Sequence, residues 1–361
     1  MKVFFYIPSL KSGGAEKQCA LMAFALKEQY GYDVEIILTH PSDPQNANKK
    51  NWEMVVSAGI PVHVLQWYHF RDLYAMCRLF RKNRDAYLFC YMTFPVFWGG
   101  LVALIAGMKN VYGGVRTSLL PWRFMLMEKF AHRFLSRATI FNSYKARELF
   151  VAQRFDKDRS IVISNAIEPT QYTRDHDAND GSIRIITVGT FWEAKDYHTW
   201  IAVINEVRAK TTKKIRAIII GYGELEDAIN NWIKDFGLQN IIEILPGNHG
   251  VGIPEELAKS DIYLSTSVFE GTSNSLMEAM RAGLPVVATD VGDNGYLVEN
   301  GKVGFICKPK DVEGLSSAVL QLVADINMRK TFGAEGMKIM HDRHSIRRIA
   351  DQYAELIRSK V

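Results

Sequence analysis

A chain of 361 residues, 48% hydrophobic and 23% charged, is longer than one ordinary core organises and has a soluble globular balance, so two domains are expected. Its four cysteines, Cys19, Cys77, Cys90 and Cys307, form no C-x-x-C pair, which argues against a disulfide scaffold or cysteine metal site and fits a reducing cytosol. The net charge of +5 conceals a division: residues 1–170 hold 22 Lys/Arg against 13 Asp/Glu, a net of +9, and the remainder carries a net of −4. A basic half suits an anionic partner such as a membrane face, and no nucleic-acid motif accompanies it.

The opening MKVFFYI is too short for a signal sequence and reads as a first strand. Residues 3–7 (strand), 9–14 (SLKSGG, a glycine loop), 15–29 (helix) and 34–39 (strand) make the first unit of a doubly wound sheet. There is no G-x-G-x-x-G, so Gly13 and Gly14 either let the backbone approach a ligand or form a plain tight turn. Residues 41–51 are polar and loop-like; 61–64, 87–92 and 111–115 are further strands. The uncharged stretch 86–108 could span a bilayer, but Pro95, Gly99 and Gly100 favour a buried strand, a turn and a buried helix ending at Gly107. Arg116 and Thr117 then follow a strand, at a ligand-facing position or in a structural salt bridge.

Residues 121–138 have helical spacing. Phe124, Met127, Ala131, Leu135 and Ala138 share the face expected to be core. Trp122, Leu126, Lys129, Phe130, Arg133 and Arg137 lie opposite, a mixture that suits a membrane surface or, alternatively, a solvated basic face. Residues 139–142 and 160–163 are the last strands of this half, and the polar stretch 170–182 is the linker.

The pattern then restarts. Residues 183–188, 215–220, 241–245, 261–266 and 285–289 read as strands; 198–209, 225–236, 275–281, 311–323 and 326–340 as helices, with an amphipathic helix near 345–358. The fold class expected is α/β, two Rossmann-like doubly wound domains facing across a cleft. Residues 1–169 and 183–340 would be the two domains, and 341–361 a helix packing back on the first.

Residues 261–292 carry the chemistry. A strand, a loop and a helix start place Thr272, Ser273 and Asn274 where backbone N–H groups and the helix dipole attract an anion. Glu270 and Glu278 bracket this loop and can accept vicinal hydroxyls, Glu278 suiting a ribose and Glu270 a sugar, while Lys195 in the loop after residues 183–188 supplies a positive charge. The ligand expected carries a diphosphate and a polyhydroxylated part.

The segment FEGTSNSLMEAMRAGLPVVATDVG resembles the E-x7-E signature of the retaining nucleotide-sugar glycosyltransferases, the glycosyl transferases group 1 of GT-B fold. SGGAE at 12–16, Asn142-Ser143, ISNA at 163–166, residues 188–195, IGYGEL at 220–225 and residues 261–265 fit in register. The resemblance implies a glycosyltransferase that retains anomeric configuration, using a UDP- or GDP-sugar as donor and a hydroxyl acceptor, without a cofactor or metal, and the basic-aromatic face of residues 121–138 suggests a glycan or lipid-linked acceptor. It implies that Glu278 holds the ribose and that Glu270 and Lys195 form the catalytic pair on sugar and diphosphate. Gly189, Thr190, Gly221, Gly223 and the run Gly271, Thr272, Ser273, Asn274, Ser275 and Leu276 would contact the donor, and Gly13, Gly14 and Arg116 would border the acceptor. One departure is Thr190, where the family usually has arginine. Asp156-Lys157-Asp158 and Asp175-His176-Asp177 match D-x-D but read as solvated segments. The location implied is the cytoplasmic face of a membrane, bound peripherally. An epimerase or hydrolase of the same fold, or a silent nucleotide-sugar-binding protein, are the alternatives.

Overall fold

A computed structural model describes residues 1–11, 13–40, 49–117, 119–169, 181–247 and 252–359. Most of the expected linker, Asp175-His176-Asp177 and Ser12 lie outside the described residues. The chain divides into two compact units: Met1–Ala166 with Ile346–Val361, and Ile167–Ser345.

In the first unit the order is β1 (Lys2–Ile7), α1 (Gly14–Tyr30), β2 (Asp33–Leu38), α2 (Lys49–Ser57), β3 (Val62–Val64), α3 (Phe70–Lys82), β4 (Tyr87–Cys90), α4 (Thr93–Ala106) and β5 (Asn110–Val115). It continues through α5 (Trp122–Phe130), β6 (Ala138–Phe141), α6 (Tyr144–Ala152) and β7 (Ser160–Val162). All strand pairings are parallel, in the order β3-β2-β1-β4-β5-β6-β7. The winding therefore reverses between β1 and β4. Parallel strands covered on both faces must be apolar throughout, as FFYI and YLFC are. The stretch 86–108 accordingly forms β4 and the 14-residue α4, and among the described residues no helix is long and apolar enough to cross a membrane.

Three sequence expectations change here. The polar stretch 41–51 is not all loop, because α2 begins at Lys49 and buries Asn51 and Val55. The helix expected over 121–138 ends at Phe130, passes through one π-turn (Ala131–Leu135), and Ala138 opens β6. The buried face is set one residue on from the expected one: Met125, Glu128 and His132 are buried beside Ala131 and Leu135, while Phe124 and Met127 are only half-buried. Arg116 makes no salt bridge among the described residues: Nη2 donates to Tyr353 Oη at 3.0 Å, and the guanidinium lies 4.2 Å from the Tyr91 ring centroid.

In the second unit, β8 (Ile183–Val188), α7 (Tyr197–Lys210), β9 (Ile215–Gly221), α8 (Glu226–Asp235), β10 (Ile242–Pro246), α9 (Ile253–Ala258) and β11 (Ile262–Ser265) come first. Then follow α10 (Asn274–Arg281), β12 (Val286–Thr289), α11 (Asn294–Leu297), β13 (Gly304–Cys307), α12 (Val312–Ala324) and α13 (Ile326–His344). This sheet is also parallel, ordered β10-β9-β8-β11-β12-β13, and reverses between β8 and β11. The chain then returns to the first unit through α14 (Ile346–Arg358), whose Ile349, Ala350, Tyr353, Ala354 and Ile357 form one buried stripe in the core around Phe5, Phe89 and Tyr91.

Candidate functional site

Ligands of doubly wound sheets bind beyond the carboxyl ends of the strands where the winding reverses. In the second unit that is the space after β8 and β11, where the loop 189–196 meets the loop 266–273. Their backbones are laced together: Val268 N–H donates to Ala194 O (2.8 Å), and Thr266 Oγ1 lies 3.0 and 2.9 Å from the carbonyls of Lys195 and Asp196. Asp196 takes a left-handed conformation (φ 47°), caps α7 through Thr199 N–H, and so holds the loop end that carries Lys195.

On this frame Lys195 Nζ stands 2.5 Å from Glu270 Oε1, with both side chains largely buried. Ser267 Oγ donates to the same carboxylate oxygen at 2.9 Å. Two residues 75 positions apart thus form an ion pair at the mouth of the reversal point. α10 starts three residues after Gly271; Ser273 holds its N-cap position, with its hydroxyl 3.4 Å from Ser275 Oγ. Glu278, half-buried, sits one turn beyond Asn274 on the same helix face.

Beneath this layer are two tyrosines that sequence reasoning missed. Tyr197 Oη donates to Gly189 O at 2.9 Å and Tyr263 Oη to Ser275 Oγ at 2.9 Å. Burial pushes both phenols above their usual range, and the charges of Glu270 and Glu278 push Tyr263 the same way. Both therefore stay neutral donors that fix the Gly189 carbonyl and the first turn of α10. Their signal in sequence was only that of core aromatics.

The glycines have steric duties. A Cβ on Gly221 would lie 2.0 Å from Gly189 O, and one on Gly223 2.9 Å from Phe191 N, where φ is also +150°. Gly221 and Gly223 therefore let the loops after β9 and β8 touch. Thr190 is exposed beside them, and Leu276 is buried.

In the first unit Gly13 and Gly14 are exposed at the start of α1; Gly13 has an ordinary extended φ of −174°. Along residues 122–137, Trp122, Leu126 and Phe130 of α5 are exposed at 69%, 56% and 45%, and Arg133 of the π-turn with them, whereas Lys129 and Arg137 are half-buried and Arg137 bonds Asn110. Asp156 Oδ1 is occupied by the N–H groups of Asp158 and Arg159. Among the described residues no group of three or more His, Cys, Asp or Glu is arranged to hold a metal ion.

Residues 170–339 match the sequence profile of glycosyl transferases group 1. The lipopolysaccharide core biosynthesis glycosyltransferase LpsE of Rhizobium meliloti is 25% identical over 180 residues, 49% of this chain and 50% of that protein. The chain thus spans about half the length of such curated relatives. An uncharacterised glycosyltransferase of Haemophilus influenzae is 22% identical across 99% of both chains. Among solved structures, Anabaena HepE in complex with UDP superposes with a TM-score of 0.85 at 19% identity, over 99% of this chain and 100% of that one.

Proposed function

We infer, from a chain whose residues 170–339 match the profile of glycosyl transferases group 1, that the protein is a member of that family and transfers a sugar from a nucleoside diphosphate donor to a hydroxyl of a growing glycan, with retention of anomeric configuration. The observation that carries this reading is the Lys195–Glu270 pair at the reversal point, set against the start of α10. A cation, a carboxylate and a helix N-terminus in one place match a ligand that is anionic at one end and hydroxylated at the other.

The roles follow from the chemistry of each group. Donor diphosphate competes with Glu270 for Lys195, and the backbone N–H groups of residues 271–276 add donors to its oxygens. Glu270, released from the ammonium, accepts sugar hydroxyls, and Glu278 accepts the two ribose hydroxyls. The acceptor oxygen bonds to the anomeric carbon as the bond from that carbon to the diphosphate oxygen breaks. The acceptor proton passes to the departing diphosphate. Unit two is assigned the donor and unit one the acceptor. A lipid-linked acceptor at a membrane surface fits the exposed aromatic and basic side chains of α5.

The test is thermal protection by UDP and GDP. Each ribose clamp is worth about 1.5–3 kcal/mol, so Glu278→Ala should weaken nucleotide binding about ten- to a hundred-fold. An unchanged nucleotide-dependent melting shift in that variant removes the site assignment.

A further inference from the structure

Doubly wound sheets take ligands beyond the carboxyl ends of their strands. The first unit also has a pocket of about 210 Å³ at the other pole, beside the amino ends of β6 and β7. Arg159, in its wall, directly precedes β7, and its Nε–H donates at 2.9 Å to the carbonyl of Arg137, which directly precedes β6. None of the lining residues takes part in the transfer chemistry assigned above.

Four cations from three segments line the pocket: Lys129 in the last turn of α5, Arg133 in the π-turn, and Arg154 and Arg159 between α6 and β7. Buried His132 and Phe155 form the floor, ring centroids 4.6 Å apart. His132 Nε2 accepts the Asp156 N–H at 3.0 Å, so that ring adds no charge. Asp156 is the one acidic residue in the lining, and its Oδ1 already accepts the N–H groups of Asp158 and Arg159. Elsewhere on the surface Lys2, Lys210 and Lys302 pair with carboxylates. Lys129, Arg133 and Arg154 make no ion pair among the described residues. Like charges gathered around one hollow repel each other, and an anion between them reverses the sign of that energy.

Two details fit the pocket to an anion. Arg159 Nη2 donates to His132 O at 2.6 Å and also to Ser136 O. These carbonyls lie at the end of the π-turn, so the negative end of that rod is covered and does not repel an anion. Arg154 is the second. The left-handed residue that ends α1 and α4 is a glycine, Gly31 and Gly107. After α6 that conformation falls to Arg154, at φ 73°, where a side chain is disfavoured. A position that suits glycine thus carries a cation, and the cation joins the pocket.

We propose that this pocket binds a phosphate monoester. Such a group carries about −1.5 to −2 charge at pH 7 and three free oxygens, enough to meet Lys129, Arg133 and Arg154 from three sides. A carboxylate or a phosphodiester has one charge and two free oxygens, and leaves a cation over. The volume admits the phosphate and the first atoms esterified to it. Two carriers present this chemistry, a soluble phosphomonoester and the headgroup of phosphatidic acid. The site lies outside sugar transfer and does not depend on that reading.

Calorimetric titration with glycerol phosphate tests the first carrier, with acetate as contrast. Co-sedimentation with phosphatidic acid vesicles tests the second, with phosphatidylserine as contrast. At least one monoester should bind saturably and in preference to its contrast. Arg154→Gly and Arg133→Gln should each weaken that binding about tenfold or more, while Lys195→Gln in the second unit leaves it unmoved. Glycine suits the backbone at φ 73°, so the melting temperature of Arg154→Gly should hold or rise, which separates lost binding from lost fold. The same variant should bind phosphatidylserine vesicles as the wild type does, since a diester meets only diffuse charge. A positive result with one carrier alone identifies that carrier as the ligand. Binding of neither monoester, binding unmoved by Arg154→Gly, an equal loss in Lys195→Gln, or equal losses on phosphatidylserine and phosphatidic acid overturns the proposal.

Discussion

Glu128 shows how far an environment can move a single group. Burial, against the smaller opposing effect of its Thr93 hydrogen bond, pushes its carboxyl up to about 7. Between the ordinary carboxylate range and about pH 7 the folded protein therefore keeps a proton that the unfolded chain releases, so stability falls as pH rises through that window. Relative to Glu128→Gln, the wild type should lose about 2–3 kcal/mol of first-unit stability between pH 4.5 and 8, read from urea melts at the two pH values. Parallel pH profiles for the two proteins would contradict this. Lys195, Glu270 and Glu278 were legible in sequence because they fall at fixed offsets from strand ends and a helix start. Glu128 was not, since its burial depends on α4 and β5, which approach it only in the folded sheet.

At the scale of elements, strands and most helices could be read from apolar runs and caps, and α14 from its regular stripe. The limits are equally physical. No spacing rule signals the π-turn after Phe130, where His132 is buried; Glu128 of α5 is buried too, while Trp122, Leu126 and Phe130 stay exposed. His132 is satisfied at both nitrogens, by Thr139 Oγ1 at 2.8 Å and the Asp156 N–H at 3.0 Å; burial first, then Arg159, pull it down to about 4. The charge that residues 122–135 offer outward is therefore that of Arg123, Lys129 and Arg133. Each basic residue near an anionic surface is worth about 1 kcal/mol. The double variant Lys129→Glu/Arg133→Glu should lower co-sedimentation with phosphatidylserine vesicles tenfold or more and leave neutral vesicles unaffected. Equal pelleting by variant and wild type would discard a membrane role for this face.

For the whole molecule, the consequential feature is that α14 belongs to the first unit although it follows the second. It completes the Phe5–Phe89–Tyr91 core, and Tyr353 Oη lies 2.9 Å from Tyr91 Oη and accepts from Arg116. Burying one large apolar side chain contributes about 1.5–3 kcal/mol, and a domain's net stability is only about 5–15 kcal/mol. Deleting residues 346–361 should abolish the first unit's calorimetric transition and leave a second-unit transition that UDP still raises. Retention of both transitions would show that the stripe is dispensable.

The same arrangement orders events during synthesis. At about 5–20 residues per second, translating residues 167–345 takes roughly 10–35 s. Throughout that interval every strand of the first sheet has already been made, but the groove beside Phe5, Phe89 and Tyr91 lacks its helix. The second unit can fold as soon as it leaves the ribosome. The older half waits with apolar surface open until the newest segment of the chain arrives to close it.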